Sequence, residues 1–406
     1  MGDPLSPASR SSGASPWRTT AAAVVATGAG FLPSLMLAAL AVQVRGDGIM
    51  LTTFRLGVAL SVFFLVSAIG SLPAGWVIDR IGARRGIWLT GVTSGLPMLG
   101  MGLVVQTWAQ LLAVMGVAGL GNALAQPAAN LALLRGVPVP RQGLAFGIKQ
   151  SAIPAGAFLS GLAVPTVALT VGWQWAFIGA AVLTLTSCLA LPPHSAAAAP
   201  TSPPAARRGR ARWSIGLVGL AVAAWFGAMG VNSLSGFFIE SSTARGIDEA
   251  LAGYLLAAGG LLGVASRFAA GLLADRRPGR LLSDTVVMIF LSVPAFVVIA
   301  LGGADVGWLV VATMIGFTVG VAWNGPFNLA VVRSHPGAPG FATGVTQAGL
   351  WGGATVGPLA FGAVAEASYV VAWLLSGAFV ALAGVSVVVA RRSLERAGSA
   401  VTGVRG

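Results

Sequence analysis

Two basic residues stand inside apolar runs of this sequence. Lys149, the only lysine among 406 residues, lies near the start of the run Gly143–Leu169, and Arg267 lies eight residues ahead of Asp275 in the run Leu251–Ala274. At ~1.5 Å of rise per residue, each would sit ~10–12 Å in from one end of its run. Ionised groups in such runs are rare and costly, so those that persist are candidates for function. An ammonium and a guanidinium facing one cavity would hold an anion by charge-assisted hydrogen bonds, a carboxylate being the simplest. The alternatives are structural: Lys149 snorkelling to a water interface, and Arg267 pairing with Asp79 or Asp275.

Amide side chains form a second tier. They are Asn122, Gln126 and Asn130 in one run, Gln150 beside Lys149, Asn232, Asn324 with Asn328, and Gln347. A spacing of four puts Asn324 and Asn328 on one helix face. Trp225, Trp323 and Trp351 fall well inside their runs, where they either wall a cavity or pack, packing being the commoner fate. Trp17, Trp108, Trp173, Trp213 and Trp308 fall at run ends, where tryptophan marks a membrane interface.

The elements that must position these groups follow from composition. The chain is 56% hydrophobic and only 9% charged, so its main solvent is lipid. Spanning hydrocarbon takes roughly 20 apolar residues. Twelve such runs are found: Ala21–Val44, Leu56–Ile78, Gly86–Val105, Trp108–Leu134, Gly143–Leu169, Trp173–Leu191, Trp213–Ile239, Leu251–Ala274, Leu281–Gly302, Gly307–Val332, Phe341–Ala365 and Val370–Ala390. The expected fold class is therefore an all-α membrane protein.

Short cytoplasmic loops carry the Lys/Arg excess. With an even number of spans and both termini cytoplasmic, the inner segments hold 19 of the 24 basic residues, while acids collect in the outer loops at Asp47, Glu240, Asp248, Glu249, Asp305 and Glu366. The net charge of +13 thus reports topology. The arginines lack the interleaved aromatics of a base-stacking surface, so no nucleic-acid partner is expected. The first run is too long for a signal-peptide core and is read as an uncleaved helix. Cys188 is the only cysteine, read as an apolar filler, and the only histidines are His194 and His335. No metal, cofactor, paired carboxylates, nucleophile elbow or phosphate loop is indicated, so an enzyme is the least favoured class.

The sequence also repeats itself. Gly75-Trp-Val-Ile-Asp79-Arg80 returns 196 residues later as Gly271-Leu-Leu-Ala-Asp275-Arg276, and Arg84 maps onto Arg280. Gly143, Gly147, Gln150 and Gly156 return 197 residues later as Gly340, Gly344, Gln347 and Gly353; Asn130 and Arg135 return at 198 as Asn328 and Arg333. Lys149 and Arg267 break the pattern, their counterparts being Thr346 and Ser71. The expected organisation is an N-terminal tail (1–20), a six-helix bundle (21–191), an Ala/Pro/Ser/Arg-rich linker (192–212), a second six-helix bundle (213–390) and a C-terminal tail (391–406), the tails and linker being cytoplasmic. The pairs Gly143-x-x-x-Gly147 and Gly349-x-x-x-Gly353 predict close helix contacts, with a hinge as the alternative.

The motif Gly75-x-x-x-Asp79-Arg80-x-Gly82-x-Arg84-Arg85, placed after the second of twelve spans, resembles the signature loop of the major facilitator superfamily, and Gly271-x-x-x-Asp275-Arg276 is similar to its echo after the eighth. The resemblance implies two pseudo-repeat bundles rocking about a central site, with helices one, four, seven and ten lining the cavity. It also implies that Asp79 meets the start of the eleventh helix, near Gly340 and Phe341, and holds the cytoplasmic side shut. The alternative is a topogenic basic loop with no gating role.

On this basis the chain is expected to be a monomeric secondary transporter of a small organic, anionic solute in the cytoplasmic membrane. No carboxylate falls at mid-span, which leaves facilitated diffusion, anion exchange, or symport in which the proton travels with the substrate. Proton-coupled drug or metabolite efflux is the runner-up. That branch carries an Arg in the fourth helix and a Gly-Pro-x-x-Gly-Gly element in the fifth; here Met115 precedes Gly119-x-Gly121, and Ile153-Pro154-Ala155-Gly156-Ala157 replaces the element. The run Gly147-Ile-Lys149-Gln150-Ser151-Ala-Ile-Pro154 is loosely similar to bacterial small-anion and cyanate-permease-like members. A receptor with an inactive transporter fold is a third possibility.

Overall fold

A computed structural model describes residues 15–190, 213–277, 279–335 and 338–403. The expected linker, most of the expected N-terminal tail and the last three residues lie outside them. The helices, in chain order, are α1 (Pro16–Ala39, resuming as Ala41–Gly46), α2 (53–81), α3 (83–103), α4 (Trp108–Gly136), α5 (139–171), α6 (Trp173–Leu189), α7 (Ile215–Thr243), α8 (Glu249–Arg276), α9 (Leu281–Leu301), α10 (Val306–Ser334), α11 (Pro339–Ala365) and α12 (Tyr369–Gly403). Ten helical segments are long and apolar enough to cross a membrane, and α6 is a shorter apolar helix of 17 residues. With α3 they make the twelve expected.

Helix ends follow local chemistry. Pro16 is preset for a first helical turn, so α1 begins five residues before the apolar run does. Thr52 caps α2, Thr107 and Gln110 form a capping box on α4, and Ser214, Asp248 and Asp305 cap α7, α8 and α10. α2 and α3 run into each other across a single residue, Gly82, at φ 82° and ψ 162°, a conformation that a residue with a Cβ rarely adopts. At the far end, α12 continues past Ala390, where Arg391 pairs with Glu395 one turn on at 3.3 Å and donates to Ser283 at 2.9 Å.

Two helices break at proline. Pro154 cannot donate to the carbonyl of Gln150, and α5 divides at Ser151; Pro326 cannot donate to Ala322, and α10 divides at Trp323. α5 also carries a π-helical turn at Val164–Ala168.

Helices α1–α6 pack as one bundle and α7–α12 as another. Cys188 fills a buried position against Gly91. Gly349 and Gly353 lie against the backbone of α7 as expected of close contacts, but Gly147 faces open space, so the Gly143–Gly147 pair does not bring a helix close at its second residue. The bundles meet along two seams, α2 against α11 and α5 against α8. Both are lined by glycine: a Cβ at Gly57 would strike the Pro358 carbonyl, and one at Gly260 would strike Pro154 and Phe158. α1 packs against α7, whereas α4 and α10 make no comparable contact.

Candidate functional site

Arg267 reaches out of α8 in one bundle to α5 in the other. Its Nη1 donates to the Gln150 carbonyl, and its Nε donates to the Val321 carbonyl at 3.3 Å. Both acceptors sit at the proline breaks, where the main chain has lost helical donors. Arg267 therefore ties α5, α8 and α10 together at one level, and it makes no ion pair with Asp79. The rest of its guanidinium lines a cavity of about 130 Å³.

That cavity lies between the bundles. α1 contributes Phe31 and Ser34, α2 contributes Phe64, α7 contributes Asn232, and α10 contributes Trp323 and Asn324. Asn324 accepts from Asn328 at 2.9 Å, the face shared as their spacing required. Trp323 is 2% exposed, set edge-on to Phe327 and against Gly227, so it packs as well as lines. Trp351 stands behind the wall, with its ring centroid 6.2 Å from that of Phe31 and 6.3 Å from that of Phe64.

Lys149 is adjacent in sequence to the carbonyl that Arg267 holds, but points the other way, into α4. It is 2% exposed, so it does not snorkel; its Nζ donates to Gln126 Oε1 at 2.8 Å and Asn130 Oδ1 at 2.7 Å. Both acceptors are neutral, and the side chain of Phe146 lies 5.6 Å from the ammonium. In the second bundle the equivalent amides, Asn324 and Asn328, bond each other, and Thr346 satisfies itself on the carbonyls of Ala342 and Thr343. The two copies thus differ in chemistry at the same place.

Other expected residues fall elsewhere. Asn122 is fully buried and donates to Ser67, whose hydroxyl donates to Gly119 on α4; it joins α2 to α4 and does not reach the cavity. The Gln150 amide oxygen is buried without a partner among the described residues, and Gln347 is half-buried on α11. Trp225 packs over Gly352 and Gly353. Trp17, Trp213 and Trp308 are exposed as interface residues would be, but Trp173 is buried because its indole donates to Asp47 at 2.6 Å.

In the signature loop, Arg80 stacks on Trp76, with 3.0 Å between guanidinium carbon and ring centroid, and Arg84 lies over Trp88 at 4.7 Å. Arg85, Gly271, Arg276 and Arg280 are exposed, and Gly75 has open space around it. Asp79 is exposed and has no hydrogen-bond or ion-pair partner among the described residues. The expected contact with the start of α11 is not made here, where Phe341 instead packs edge-on against Trp213 at 5.4 Å.

The opposite end of the molecule is latched. Arg45 on α1 pairs with Glu240 on α7, which is 1% exposed; Thr53 on α2 donates to the same Glu240 oxygen at 2.8 Å and lies 3.0 Å from the Tyr369 hydroxyl of α12. Glu366 accepts from the Phe54 amide at 3.2 Å. A hydrogen bond from Thr52, the Phe54 amide and the charges of Arg45 and Arg55 hold its carboxyl below the usual glutamate range. This cluster was missed in the sequence, where Glu240 was read only as an outer-loop acid. Arg45 and Glu240 lie 195 residues apart, close to the repeat offset, at the ends of equivalent helices, and that opposition of sign was the available signal.

The family model of the Major Facilitator Superfamily matches residues 18–358. The chain belongs to the major facilitator superfamily. Solved structures agree on the fold. Two crystal structures of a bacterial homologue of the human lysosomal transporter Spinster, inward-facing with the site occupied and unoccupied, superpose with TM-scores of 0.75 and 0.76. They share 16% and 15% identity and cover 94% of this chain and 98% and 99% of theirs. A curated relative, a probable sulfoacetate transporter of Cupriavidus necator, is 28% identical over 128 residues, 32% of this chain and 30% of its own length. As a major facilitator, the chain is a multi-pass membrane transport protein with a central cavity between its bundles.

Proposed function

We propose that this transporter carries a small organic anion across the cytoplasmic membrane by alternating access, with both termini in the cytoplasm. The observation that carries the proposal is the meeting of two cations, the buried Lys149 and the half-buried Arg267, one from each bundle, on a single turn of α5, with no carboxylate paired to either among the described residues. Arg267 presents its free donors to the cavity, where Asn232 and Asn324 supply neutral hydrogen bonds and Phe31, Phe64 and Trp323 give an apolar wall. A compact anion with a short carbon body suits that lining. The name of the Cupriavidus relative supports the same class, sulfoacetate being a two-carbon acid with a carboxylate and a sulfonate.

The conformation fits a carrier closed at the Arg45–Glu240 end and released at the Asp79 end. If the arginine-rich Asp79 end is cytoplasmic, this is the inward-facing state. Counterflow in proteoliposomes tests the proposal: internal unlabelled sulfoacetate, acetate or another small organic acid should drive transient accumulation of its labelled form. Accumulation of hydrophobic cations under a pH gradient, with no response to any organic anion, would select drug efflux instead.

A further inference from the structure

Lys149 is turned into α4, which leaves Arg267 as the one charged residue among the described residues that line the central cavity. The rest of the polar lining is neutral, and helix register sorts it into two levels. Counted from the Asp79 end of the molecule, Arg267 lies nine residues from the end of α8 and Asn324 ten from the end of α10, each roughly 15 Å in. Ser34 and Asn232, counted from the starts of α1 and α7 at that same end, lie roughly 25 Å in, and Ser235 lies a turn further along α7. The two levels are thus about 10 Å apart along the molecule. Between them the wall is apolar, with Phe31, Phe64 and Trp323.

The chemistry of the levels differs. At the first, Arg267 spends Nη1 and Nε on main-chain carbonyls, and its Nη2 has no partner among the described residues. Asn324 accepts through Oδ1 from Asn328, so its own amide group remains to donate. Donors alone are on offer there, which suits a carboxylate or sulfonate. At the second level, the Ser34 hydroxyl has given its hydrogen to the Phe31 carbonyl at 2.8 Å and can only accept. Asn232 and Ser235 have no hydrogen-bond partner among the described residues and can both donate and accept. A second anionic group at this level would meet no cation and would face oxygen acceptors, leaving a buried charge unpaired. A hydroxyl can donate to Ser34 or Asn232 while it accepts from Ser235.

We infer that the cargo is a singly charged acid with a hydroxyl at its far end, its anionic group against Arg267 and Asn324 and its hydroxyl among Ser34, Asn232 and Ser235. The inference deepens the anion-transport proposal above and rests on it. Sulfoacetate would seat one anionic group at Arg267 and bind more weakly than such an acid.

Three acids of equal length provide the test: 4-hydroxybutyrate, butyrate and succinate end in a hydroxyl, a methyl and a second carboxylate. Labelled 4-hydroxybutyrate is bound to purified protein at pH 7, where the carboxyls are ionised, and the other two compete with it. Butyrate should compete at least about tenfold more weakly than unlabelled 4-hydroxybutyrate, the factor one net hydrogen bond gives. Succinate should compete at least about a hundredfold more weakly, because it buries an unpaired charge. In the double variant Asn232→Leu with Ser235→Ala, the preference for the hydroxyl over the methyl should vanish. Succinate equal to or tighter than 4-hydroxybutyrate, or a hydroxyl preference that survives in the variant, would overturn the inference and leave anion transport intact. Saturable binding of labelled sulfoacetate with none of 4-hydroxybutyrate would do the same. Failure of all four acids to bind, in protein that binds hydrophobic cations, would overturn the anion proposal and this inference with it.

Discussion

The guanidinium of Arg267 donates to the one main-chain carbonyl, that of Gln150, which Pro154 leaves without its helical partner. A side chain of one bundle thus completes the backbone of the other, at the residue next to the only lysine in the chain. Arg267 braces the α5 break and also lines the cavity, and the proposed function gives it a second role there as an anion's partner.

Those roles separate experimentally. Arg267→Lys keeps the charge but not the planar fork, and cannot reach both carbonyls while facing cargo. It should lower transport of a small anion by more than about tenfold, and thermal stability should fall by about 1–3 kcal/mol, the scale of lost charged hydrogen bonds. A purely structural role would lower stability while leaving kcat/KM unchanged per folded molecule.

Lys149→Gln replaces the buried ammonium with an amide that bonds weakly to Gln126 and Asn130. Transport should fall sharply but stay measurable, with folding retained, since burying one charge fewer offsets the lost hydrogen bonds. Gln126→Ala and Asn130→Ala should each weaken transport, and combining either with Lys149→Gln should add little further loss. Full additivity in that cycle would show that the amides do not act through Lys149.

At the other end, Glu240→Gln removes the charge that holds Arg45 and should shift the carrier towards the state open at that end. The probe is a cysteine at Ser235, which lines the cavity one turn from Glu240, in protein whose own Cys188 is buried. Its labelling from the Arg45 side by an impermeant maleimide should rise severalfold in the Glu240→Gln background. Unchanged labelling would show that the pair does not restrain opening.

The pH response of Glu366 has a definite sign. Its carboxyl is held below its ordinary value of 4.5, so its grip on the Phe54 amide is complete above that value and lost as pH falls through the lowered one. Glu366→Gln should therefore raise Ser235→Cys labelling at pH 7, and native and variant should converge only in acid below pH 4.5. A difference that instead grew in acid would contradict the assignment.

Much of this was legible in the sequence. Twelve spans, the repeat and the Gly75–Arg85 loop carried the fold, because apolar length and a glycine reversal are local properties. Lys149 and Arg267 stood out as charges in lipid, and their mismatch with Thr346 and Ser71 marked where the copies diverge. Their partners were not legible. Gln126 and Asn130 turn to Lys149 across helices, and the Gln150 carbonyl becomes an acceptor only because Pro154 faces α8; neither is a matter of spacing along one helix. Asn122 has the same residue type as Asn232, and only the packing of α4 on α2 sends it to Ser67 instead of the cavity. Asp79 shows the remaining gap, since its expected contact with the start of α11 is one between distant helices and is not made among the described residues.

The central claim is that Arg267 holds an anion in the cavity. Equilibrium binding of labelled sulfoacetate to purified native protein and to Arg267→Gln tests it most directly. Saturable binding to the native protein that competes with other small organic acids and disappears in Arg267→Gln is the predicted result; equal affinity in both proteins would contradict the account.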